Sequence, residues 1–74
     1  MTGPRPGDRI RLLAMPDDPA PISPGTTGTV RFVKRHGTGP NAWLQVDVEW
    51  DNGRSLMISV PPDEYEVISG DRDG

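Results

Sequence analysis

The stretch AWLQVDVEWDNGRSLMISV, residues 42–60, decides the fold. Leu44, Val46, Val48 and Trp50 fall at every second position, and Trp43, Gln45, Asp47 and Glu49 fall between them. That period of two belongs to a half-buried strand, because successive side chains of an extended chain point to opposite faces. The alternation stops at DNGR (51–54), where Asn52 and Gly53 both tolerate the positive φ of a type I′ hairpin turn. It resumes in SLMISV (55–60), with Leu56, Ile58 and Val60 on the inner face. Two strands joined by a tight turn are expected here, with Trp50 in the core and Trp43 outside it.

The same pattern extends outward in both directions. DRIRLL (8–13) puts Ile10 and Leu12 on one face and Arg9 and Arg11 on the other. TTGTVRFVK (26–34) reads as a strand with Val30 and Phe32 inward and Thr29, Arg31 and Val33 outward. Gly28 in its interior signals a bulge or a close backbone contact. YEVI (65–68) is a last short strand with Val67 inward. Nine glycines and nine prolines lie mostly between these runs, which marks punctuated strands rather than a low-complexity tail. MPDDPAPISPG (15–25) reads as a long, stiff, acidic loop and RHGTGPN (35–41) as a basic, glycine-rich turn. In PPDE (61–64) two prolines cannot continue a central strand, and with the acids after them they suit a short 3-10 turn.

Length and charge bound the rest. The 74 residues make one small domain, and a chain of this size buries only about 60% of its unfolded surface. With no cysteine there is neither a disulfide nor a thiolate metal site, a composition that fits the cytoplasm. No apolar run approaches the roughly 18 residues of a membrane span, and MTGPRPGDR lacks the apolar segment of a secretory signal. A net charge of −3 argues against a general nucleic-acid binder, whose footprint is basic.

The order strand, long loop, strand, loop, strand, hairpin, strand, 3-10 turn, strand resembles an SH3-like barrel. The expected fold is therefore all-β: a small five-stranded SH3-like barrel over residues 7–68 with one short 3-10 turn. Flexible ends are expected at 1–6 and 69–74. The runs GDRIRL, MPDDPAPISPGTTGTV, WDNGRSL and DEYEVI look more specifically like the small bacterial and phage family named domain of unknown function 4314. That resemblance implies an SH3-like fold and a bacterial or phage source, and it carries no settled activity.

Catalysis finds little support. His36 is the only histidine, so one imidazole at most could activate Ser23, Ser55, Ser59 or Ser69. Asp17, Asp18 and Asp51 lack the alternating spacing of a calcium loop, and there is no phosphate-cradling glycine motif. No cofactor is expected, and the chain reads as a non-catalytic binding module. The resemblance to SH3 domains implies where a partner would bind. Their peptide groove lies between the long first loop and the second loop, and Asp17, Asp18, Trp43, Pro62 and Tyr65 occupy the matching positions. The A-L-Y-D-Y signature of peptide-binding SH3 domains is absent, so two of that groove's rings have no counterpart. Two other readings stand beside the groove. The loop 14–25 could instead fold over Trp43 or cover the open end of the barrel. Alternatively, Arg31, Arg35 and His36 could hold the phosphate of a nucleotide-type signal while Trp43 stacks on its base. An unidentified protein, or a small ligand of that kind, is the expected partner.

Overall fold

The computed structural model describes residues 3–16 and 18–69. Among them five antiparallel strands form one sheet: β1 (Arg9–Ala14), β2 (Thr27–His36), β3 (Trp43–Trp50), β4 (Ser55–Val60) and β5 (Glu64–Ser69). Their order is β4-β3-β2-β1-β5. The all-β expectation holds. The sheet coils around one core that unites Ile10 of β1 with Val30, Val46, Val48, Trp50 and Ile58 of the next three strands. No ladder joins β4 to β5 among the described residues, so the expected barrel does not close.

Two side chains of the long loop complete that core. Met15 and Ile22 are buried within it. The loop runs along β4: Asp18 and Pro19 lie beside Leu56, Met57 and Ser59, and Arg54 Nη1 donates to the Ala20 carbonyl at 3.0 Å. Through Met15 and Ile22 the first loop thus contributes to the core wall, and its prolines restrict the unfolded chain.

The β3–β4 turn departs from the expected type. Gly53 has φ of +92°, but no residue other than glycine has positive φ among the described residues, so a type I′ turn is ruled out. The Gly53 N–H donates to the Trp50 carbonyl at 3.0 Å, and the Trp50 N–H donates to the Arg54 carbonyl at 2.9 Å. This is the three-residue loop in which a tight turn is followed by a left-handed glycine.

Three further expectations are corrected. Phe32 is 48% exposed and Val33 is packed against the core, the reverse of the simple alternation. The pairing of β2 with β3 runs Val30↔Val48 and then Phe32↔Asp47, so β2 carries one extra residue at Arg31. A bulge of one residue moves everything after it to the other face. Val67 is 45% exposed, because β5 is an edge strand that pairs, among the described residues, with β1 alone. The 3-10 turn occurs at Gly39–Asn41, where Pro40 needs no N–H bond at the start of the turn. At Pro61–Pro62 the chain instead folds back on itself: Asp63 N–H donates to the Ser59 carbonyl, and Ser59 N–H donates to Asp63 Oδ2, each at 2.9 Å.

Gly28 fits its expected role. A Cβ there would lie 2.8 Å from Trp50 Cε3 and 2.9 Å from the Glu49 carbonyl oxygen. At Gly53 nothing lies within 4 Å of such an atom. The two glycines should therefore respond differently to size. Gly53→Ala and Gly53→Leu should cost a similar amount, roughly 1–2 kcal/mol of backbone strain. Gly28→Leu should cost clearly more than Gly28→Ala, with overpacking on the order of 1–3 kcal/mol or above. Urea unfolding of the four variants checks this.

Truncating Ile22 tests the role of the loop. Ile22→Ala should lower stability by about 2–5 kcal/mol, whereas Pro21→Ala, at an exposed neighbour, should change it by less than about 1 kcal/mol. Equal melting temperatures for the two would mean that the loop does not belong to the core.

Candidate functional site

The register of β2, β3 and β4 arranges the outer face of the sheet in rows across the strands. Thr29, Glu49 and Ser55 form one row, followed by Phe32, Asp47 and Met57, then Lys34, Gln45 and Ser59, with His36 and Trp43 at the far end. Directly opposed residues of antiparallel strands are near enough for their side chains to interact. Phe32 and Met57, 48% and 42% exposed, flank the Asp47 carboxylate. An open hollow of about 600 Å³ lies on this face, lined by Arg31, Gln45, Asp47, Glu49, Ser55 and Met57 over Val48 and Leu56.

At the far end, His36 and Trp43 stack with ring centroids 4.3 Å apart and planes 17° from parallel. A chain of hydrogen bonds fixes the imidazole from below. His36 Nε2 meets Gln45 Oε1 at 2.8 Å, and Gln45 Nε2 donates to Asp47 Oδ1 at 3.0 Å. Because Gln45 presents its oxygen, which can only accept, His36 Nε2 donates this hydrogen bond. Trp43 is half-buried under this arrangement.

Ion pairs cross the same face. Arg31 meets Glu49 at 2.6 Å at the bulge, and Arg11 meets Glu66 at 2.6 Å between β1 and β5. Arg9 binds both oxygens of Asp51, at 2.9 and 2.5 Å, and also reaches Thr29 and Thr27. The hydrogen bonds from Arg9 and then from Thr27 hold the Asp51 carboxyl well below the usual carboxylate range.

The residues singled out in the sequence separate into several places. His36 and Trp43 come together. Asp18 borders a second hollow of about 280 Å³ with Met57, Ser59 and Asp63, and its Oδ1 accepts from the Ala20 N–H at 2.8 Å. Asp17 lies outside the described residues. Pro62 is exposed in the β4–β5 corner. Arg35 belongs to β2 rather than to a basic turn; it pairs with Leu44 and, being adjacent to His36 in a strand, faces the other way. Tyr65, like Leu44, is partly buried and packs against the core. A Cβ on Gly3 would come within 2.6 Å of Leu44 Cδ1 and 3.3 Å of the Tyr65 hydroxyl, so the N-terminal segment crosses these two side chains.

Phe32, Gln45, Asp47 and Met57 escaped the sequence-based site. Gln45, Asp47 and Met57 were legible as outward positions, and the adjacent Phe32 and Val33 marked a break in the alternation. Their joining in rows depends on the bulge. Among the described residues no group of three or more His, Asp or Glu is placed to hold a metal ion.

Tyr65 supplies a pH-dependent probe. Burial, and then the charge of Asp8, raises its phenol above the ordinary value of 10.0. A raised value means that the fold favours the neutral phenol. That stabilisation is complete below about pH 10, the unfolded value, and is lost as pH rises through the folded one. Tyr65 is the only tyrosine, so its phenolate absorbance reads it directly. The folded protein should titrate above the urea-unfolded chain, and Tyr65→Phe should lessen the loss of stability above about pH 10. Coincident titrations of folded and unfolded protein would contradict this.

Neither a curated protein nor a solved structure matches the chain. One family model matches residues 4–68, from the N-terminal segment across Leu44 and Tyr65 to the penultimate residue of β5. The chain belongs to the family described as Domain of unknown function (DUF4314).

Proposed function

We propose that this protein is a non-catalytic binding module that takes a protein partner on the outer face of β2, β3 and β4. The observation that carries this reading is the row Phe32, Asp47, Met57: two large exposed apolar side chains on either side of a carboxylate, beside an open hollow. Exposed apolar groups rimmed by polar ones are typical of contact surfaces. The His36–Trp43 stack ends the same face with two rings already held in place, so little side-chain freedom is lost on binding. Asp18 and the loop border it on the β4 side.

A nucleotide-type ligand is less well served. It needs Arg31, Arg35 and His36 on one phosphate, but Arg31 is engaged by Glu49, and Arg35 and His36 are adjacent strand residues facing opposite ways. No helix among the described residues is long and apolar enough to cross a membrane.

The double variant Phe32→Ala, Met57→Ala tests the reading. Both positions are exposed, so its unfolding midpoint should stay near that of the parent, within roughly 1 kcal/mol. Proteins retained from host lysate by the immobilised parent should no longer be retained by the variant. Undiminished capture by the variant would place the contact elsewhere. A nucleotide that raises the melting temperature in a concentration-dependent way would favour the small-ligand reading instead.

A further inference from the structure

We infer that Asn52 is a site of spontaneous deamidation whose rate is governed by opening of the β3–β4 turn. The reaction uses the main-chain nitrogen of Gly53 as nucleophile. Once its proton is lost to base, this nitrogen attacks Cγ of Asn52. The new N–C bond forms as the Cγ–Nδ2 bond breaks, and Nδ2 leaves as ammonia after taking a proton from solvent. The resulting succinimide adds one water at either carbonyl and opens to aspartate or to isoaspartate. In isoaspartate the main chain runs through the former side-chain carbon. Water is the only co-reactant, and nothing is oxidised or reduced.

Glycine hinders that attack least, because no Cβ stands beside the attacking nitrogen. Asn52 and Gly53 are both exposed, and the space where a Gly53 side chain would be is open. In the closed turn, however, both reacting groups are engaged. The Gly53 N–H donates to the Trp50 carbonyl at 3.0 Å, and Asn52 Oδ1 accepts from the Arg54 N–H at 3.0 Å. The turn is anchored on both sides. Trp50 is buried, Arg9 grips the Asp51 carboxylate, and the Asp51 N–H donates to the Thr27 carbonyl.

The nucleophile is therefore released only when the hairpin opens, and the rate follows the population of the open form. The product favours that opening. It places a second carboxylate beside Asp51, and as isoaspartate it lengthens the main chain inside a three-residue loop. The turn thus keeps a chemical record of its own opening.

Asn41, followed by Ala42, is the only other asparagine and serves as an internal reference. The full chain is incubated at mildly alkaline pH in buffer and in unfolding guanidinium chloride, and aspartate and isoaspartate at both positions are quantified by peptide mapping. In denaturant Asn52 should convert before Asn41, and at least about tenfold faster than in buffer. Folded Arg9→Gln, which removes the charged grip on Asp51 and leaves Asn52 and Gly53 themselves unchanged, should convert Asn52 faster than the parent. Loss of Asn41 ahead of Asn52 in denaturant overturns the site. Equal rates in buffer and denaturant overturn the protection by the turn, and an unchanged rate in folded Arg9→Gln overturns its link to the anchor.

Discussion

The contact between Trp50 and Gly28 is the constraint on which the rest of the fold depends. The indole lies where a Gly28 side chain would be, so β2 approaches β3 closely at that pair. The same residue ties β3 to β4 in three ways: Nε1–H donates to the Leu56 carbonyl at 3.0 Å, and its main-chain N–H and carbonyl hold the turn. Burying so large a ring is a main source of stability in a domain this small, and removing one typically costs about 3–5 kcal/mol. Because the indole N–H donates to the Leu56 carbonyl, the cost of taking that one polar group out of water is offset by a hydrogen bond.

From that fixed point the bulge at Arg31 determines what the outer face presents. Without the extra residue, Phe32 would enter the core beside Val30, and Val33 would stand outside. With it, Val33 packs inward and Phe32 joins Asp47 and Met57 in one row. The Arg31–Glu49 pair sits at the bulge itself. The pair is well exposed, so its worth lies more in orientation than in stability.

The open side of the sheet is closed by other means than strand pairing. Met15 and Ile22 enter the core from the long loop, and Asp63 takes both main-chain groups of Ser59. An edge strand with free N–H and C=O groups is a template for unwanted pairing, and capping it shortens that template. Exposed Leu13, Val67 and Ile68 lie on the strands at the other edge.

The sequence by itself determined the strands, their number and most of the core. Each inner face of β1, β3 and β4 is a strict alternation, and burial of one face enforces it locally. It also placed the two tryptophans on opposite faces and located the turn at Gly53. Tertiary structure alone decided the type of that turn, the side taken by Phe32 and Val33, and the failure of β4 and β5 to pair. It also decided that Met15 and Ile22 belong to the core. The physical reason is common to all four. A bulge changes no residue type, and a turn's dihedral angles answer to the strands on either side of it. Whether an apolar loop residue is buried depends on which surface is left uncovered once the strands have assembled. The candidate site follows the same division: Trp43 and His36 were legible one by one, but their stacking is a consequence of register, which no single strand contains.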